Sequence, residues 1–164
     1  MRPEAPSSWG VAIERTFDCL SSMDTVLDDL DILIGTIAGT DLHTLDTQQL
    51  MSSTLRLCTQ MDQVKAAHAL MINAVDQTGA WRATGARSVA DWLAGKTNSD
   101  TREVRRRQKL GDTLDKHQQL ADDVASGSTS TAAADAIADV VNNAPADADT
   151  AELFDKVRGA GPVE

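Results

Sequence analysis

The residues best equipped for chemistry lie in one stretch, KTNSDTREVRRRQKL at 96–110, where six basic side chains fall within fifteen positions. The chain around it is strongly acidic, with a formal net charge of −10 at pH 7. Between positions 82 and 109 there are eight basic and three acidic residues; the rest of the chain has seven basic and 22 acidic ones. Such asymmetry in a small protein points to a localised anion-binding face. Set on a helix at about 100° per residue, Arg102, Arg105, Arg106 and Lys109 share an arc of about 100°. Val104, Leu110 and Leu114 fall on the other side, so the segment reads as an amphipathic helix with one cationic and one apolar face. The four cations fit contact with a phosphate backbone, which would be salt-dependent and largely blind to sequence. They fit equally well a solvated face neutralised by the chain's own carboxylates or by those of a second copy. Arg107 falls in the middle of the apolar face. A buried guanidinium requires a partner, so Arg107 is expected to be structural, paired with a carboxylate or with helix-end carbonyls.

No other constellation suggests catalysis. His43, His68 and His117 are scattered and lack paired metal-ligand spacing. Cys19 and Cys58 match no zinc or redox spacing and read as buried free thiols. There is no glycine-rich phosphate loop. The reading is therefore a non-enzymatic chain with neither metal nor cofactor. No run of about 20 apolar residues could span a membrane, and the N-terminus lacks the apolar run of a secretory signal, so the expected location is cytoplasmic, away from membranes.

The elements that must position the basic stretch are helical. The apolar residues are mostly Ala, Leu, Val, Ile and Met, with aromatics at only 3%, a mixture that enters helices at little cost. We expect an all-α fold: a long antiparallel helical hairpin followed by a bundle of short helices. Residues 1–10 read as a disordered lead-in, 11–143 as the helical domain, and 144–164 as a short helix and flexible tail. The long helices are expected over about 11–38 and 47–78. In the second, Leu50, Leu57, Met61, Val64, Met71 and Val75 form a near-heptad seam with Thr54 and His68 on the same line. That seam suits a hairpin partner or a second chain, and His68 on it reads as a core histidine. QTGAWRATGARS reads as a loop. Ser88 and Asp91 have capping-box spacing for a short helix carrying Val89, Trp92 and Leu93. Short helices follow over about 100–113, 116–126 and 131–143. The last carries Asp135 and Asp139 and no cation, which makes it a poor DNA-recognition helix.

The order of these parts, GARSVADWLAGKTNSDTREVRRRQKL followed by LADDVASG and STSTAAADAIADVV, resembles the actinobacterial thirteen-E-twelve repeat family, over roughly residues 45–143. In that family a helical domain of unknown function commonly precedes an HNH endonuclease module. The chain departs from the family in lacking a proline near Gln118. It also has no histidine after His117, so it lacks an HNH motif. Together with the positive window at 82–109, the family's frequent nuclease partner suggests a helical accessory domain that docks a linked or partner HNH-type nuclease onto DNA, and the helix period supplies its contact residues, Arg102, Arg105, Arg106 and Lys109. The reading from the residues alone leaves a second possibility open, a protein-interaction or oligomerisation module that never touches nucleic acid.

Overall fold

A computed structural model describes residues 23–143. The expected lead-in, the first half of the first long helix, Cys19 and the C-terminal short helix and tail lie outside the described residues. Within them the chain is all-α, with six α-helices and no strand. These are α1 (Met23–Ala38), α2 (Thr47–Thr78), α3 (Val89–Thr97), α4 (Thr101–Lys116), α5 (Gln118–Ser126) and α6 (Thr131–Asn142), with 3-10 turns over Leu42–Thr44 and Ala80–Thr84. The chain divides into two compact units, Met1–Cys58 and Thr59–Glu164, with the division inside α2.

In the first unit, α1 and the start of α2 are joined by a short capped connection. Asp41 caps the 3-10 turn by accepting from the His43 amide. Asp46 and Gln49 form a reciprocal box at the start of α2, each side chain bonding the other's backbone amide. The described residues of this unit include no buried side chain.

The second unit contains the core, and α4 lies at its centre, packed against α3, α5 and α6. One cluster combines Ile72 of α2, Trp81, Val89, Ala90 and Ala94 of α3, and Val104 of α4. Leu110, Leu114, Leu120, Val124 and Ile137 are buried beyond it, on α4, α5 and α6. Each short helix has explicit ends. Ser88 caps α3 by accepting from the Asp91 amide at 3.0 Å. Asp100 caps α4 through the Arg102 amide at 2.8 Å, and Ser130 caps α6 through the Ala133 amide at 3.2 Å. Helix α5 stops at Gly127, whose φ of 77° is the left-handed conformation that ends a helix with little strain.

Helix α2 meets α4 through small residues. A Cβ on Gly111 would overlap the Ala69 backbone carbonyl and crowd the Asn73 side chain. Glycine is therefore required at this crossing for want of space, its φ not being in the left-handed region. Polar bonds hold the pair in register: Gln108 donates to Asp76 at 2.7 Å, and Asn73 and Gln77 both donate to Asp115 at 3.3 Å.

Several expectations are corrected here. The buried stripe of α2 is Ala66, Ala69, Ile72 and Asn73, while most of the near-heptad seam, which suits a hairpin partner or a second chain, is not covered among the described residues. Leu50, Leu57, Met61, Val64 and Met71 are exposed, and of the seam only Val75 packs against the core. His68 is half-buried. Cys58 is an exposed free thiol rather than a buried one. Trp81, in a segment read as loop, is buried; its indole N–H donates to Asp76 at 3.0 Å, and Arg82 stacks over its ring. Trp92 is only partly buried. Helix α3 runs through Gly95 to Thr97, with Asn98 taking the left-handed position.

Gly111→Ala is expected to lower stability by about 2–3 kcal/mol, the cost of overpacking against backbone that cannot yield. Gly95→Ala, where a Cβ meets open space, is expected to be neutral or slightly stabilising. Urea unfolding followed by circular dichroism compares the two.

Candidate functional site

Helix α4 presents its cations in two directions. Arg105 reaches Asp91 of α3 at 3.4 Å, and Arg106 reaches Asp135 of α6 at 2.8 Å. Arg107 pairs with Glu103 one turn earlier on the same helix, with its side chain 37% exposed. Arg102 and Lys109 are exposed and make no ion pair among the described residues. The four predicted cations therefore share a helix face but not a role, since two are held by acids of neighbouring helices and two have no ion-pair partner among the described residues.

On the α6 side, α4 borders an open cleft of about 580 Å³. Arg102, Arg106 and Arg107 line it from α4, Lys65 from α2, and α6 closes it with Thr131 in its first turn and Asp135 one turn on. Leu110, only 3% exposed, adds apolar surface to the wall. Four cations thus face two carboxylates, Glu103 and Asp135. Arg105 and Lys109 stand outside the cleft.

The supports of the cleft are polar and specific. The Thr131 hydroxyl, itself buried, donates to Asp62 at 2.8 Å, and Asp62 also holds Lys65 at 3.0 Å. Burial pushes the Asp62 carboxyl up, but the Thr131 and Lys65 bonds outweigh it and hold the group below its ordinary range. Asp135 moves the other way. Its burial raises the carboxyl pKa, and Arg106 only partly offsets this, with Asp139 adding repulsion. His68 of α2 is held below the usual histidine value, first by burial and then by the positive charge of Arg107.

Lys65, Thr131 and Asp135 escaped sequence reasoning. In the sequence Asp135 reads only as a charge that spoils a recognition helix, and nothing local to Lys65 distinguishes it from any exposed lysine three residues after an aspartate. Among the described residues no group of three His, Cys, Asp or Glu side chains could hold a metal ion, and no helix is long and apolar enough to cross a membrane. The chain has no match among protein-family models, curated proteins or solved structures.

The lowered His68 pKa has a definite sign. The unfolded chain takes up a proton at this group before the folded one does, so the contribution of neutral His68 is present above its ordinary pKa and is lost as pH falls through the folded value. Wild-type protein is expected to lose stability as pH falls from about 7 towards 5, near the ordinary histidine pKa. His68→Gln is expected to flatten that part of the profile. Urea midpoints across this range provide the check.

Proposed function

We propose that this chain is a non-catalytic helical interaction module whose first unit associates with a second copy of the chain. One observation carries the reading. In residues 23–58 no side chain is buried, yet twelve large apolar side chains are exposed, among them Leu27, Ile34, Ile37, Leu50 and Leu57. Exposed large apolar side chains in this number point to an interaction site, and the near-heptad spacing of Leu50, Leu57, Met61 and Val64 suits a helix partner. Charge favours a second copy. The same span has six acidic residues and one cation, Arg56, opposite in sign to the cationic face of α4. Such complementarity steers association and fixes its register.

A second reading is favoured by Arg102 and Lys109, which no carboxylate among the described residues neutralises. In it the chain is an accessory domain that docks a linked or partner HNH-type nuclease onto DNA, with Arg102, Arg105, Arg106 and Lys109 facing the phosphates. Its further support is the resemblance to the thirteen-E-twelve repeat family.

Two experiments test these readings. Sedimentation velocity is expected to show an assembly that Ile34→Glu with Ile37→Glu shifts to monomer while helical content is retained; a wild-type monomer at all concentrations would sink the first reading. Binding to a fluorescent duplex is expected to weaken between about 50 and 200 mM salt, with a log–log slope of about −2 if only Arg102 and Lys109 contact phosphates. Arg102→Glu with Lys109→Glu, which disturbs no ion pair, is expected to abolish that binding. Binding that ignores both salt and these substitutions would remove α4 as the docking face.

A further inference from the structure

The cleft beside α4 is a different feature from either surface just discussed. It is concave, and its cations come from two helices. Lys65 sits on α2, while Arg102, Arg106 and Arg107 lie one turn or one residue apart on α4. Three of the four have carboxylates at hand: Asp62 for Lys65, Asp135 for Arg106 and Glu103 for Arg107. Arg102 has none among the described residues, and Asp62 does not line the cleft. The wall thus carries an excess of positive charge in a chain whose formal net charge is −10. An excess of this kind in a recess attracts an anion small enough to enter.

The chemistry of the wall narrows the class. Three guanidinium groups offer planar, multi-donor forks that match the oxygens of a phosphate. Paired forks of this kind match an oxyanion that offers several oxygens better than a single carboxylate does. The volume, about 580 Å³, lies in the range of small-molecule sites. Leu110 contributes an apolar patch against which the body of an ester could rest. A duplex backbone, by contrast, lies along a convex ridge. On α4 such a ridge would present Arg105 and Lys109, which do not line the cleft.

We infer that the cleft between α2, α4 and α6 binds the phosphate group of a small phosphorylated molecule, held by Lys65, Arg102, Arg106 and Arg107. Asp135 then has a defined part. It occupies Arg106 when the cleft is empty and yields that guanidinium when the phosphate arrives, so it sets the affinity from within the site. The inference does not rest on either reading of the preceding subsection, although it shares Arg102 and Arg106 with the DNA reading.

The test is calorimetric titration of the full chain with inorganic pyrophosphate, in low-salt buffer free of phosphate. Saturable one-to-one binding is expected. Arg102→Glu, at an exposed residue with no partner to lose, is expected to weaken it by about tenfold or more, the scale of a lost charge-assisted bond. Lys65→Ala is expected to act in the same direction, and thermal melts of each variant show that the fold is kept. Asp135→Asn is expected to tighten binding severalfold, a gain that a damaged fold could not produce. Lys109→Glu is expected to leave pyrophosphate affinity unchanged while weakening any binding of duplex DNA, which separates the cleft from the ridge. Absence of saturable binding, an equal loss in Lys109→Glu, or weaker binding in Asp135→Asn would each overturn the inference.

Discussion

The second unit depends on the close crossing of α2 and α4 at Ala69 and Gly111. Helix axes can approach to this degree only where neither side carries a branched residue at the contact. Gly111 removes the side chain from one helix, and Ala69 reduces it to a methyl on the other. Once the two backbones touch, the rest follows by geometry. Gln108 and Asp115 fall opposite Asp76, Asn73 and Gln77, and their bonds fix the axial register. Ile72 reaches the cluster around Val89 and Val104. Lys65, two turns before Ile72, is delivered to the same side as the arginines of α4. Register on one side of the crossing therefore decides which charges meet on the other.

The fold class was legible because it depends on composition and periodicity, which are local. Helix limits set by capping chemistry were legible for the same reason: Ser88 and Gly127 act where their residue types say they should. The burial of α2 was not. Large aliphatics at heptad spacing mark a face that could be buried, and in α2 they mark a face that is exposed. The stripe in contact with α4 is instead made of Ala66, Ala69 and Asn73 beside Ile72, because close packing selects for small volume over hydrophobicity. Trp81 was obscured differently. Its glycine-flanked segment has the composition of a loop, yet a 3-10 turn carries the indole into the core, where Asp76 satisfies its N–H.

The candidate site was legible in part. The cationic face of α4 follows from the helix period alone. Its partition between Asp91 and Asp135 depends on which helices flank α4, and no single helix can specify that. The environment of Arg107 also differs from a dry apolar face. It lies half-exposed at the cleft with Glu103 beside it, a modest pairing by the standard of exposed ion pairs and far less costly than burial would have been. Its charge is felt across the contact by His68, so the basic helix influences α2 electrostatically as well as sterically.

Helix α2 spans thirty-two residues, and only its later part is tied into a core. From Thr47 to Lys65 none of its residues is buried, whereas Ala66, Ala69, Ile72 and Asn73 are. Backbone bonds near Ile72 can open only with the surrounding bundle, while those near Thr47 are kept by helix propagation alone, which is marginal in water. Amide exchange along this one element should therefore run as a gradient, fast at Thr47 and slow at Ile72. A helix graded in this way acts as a built-in gauge: whatever covers its open face would register first as slowed exchange at its N-terminal end.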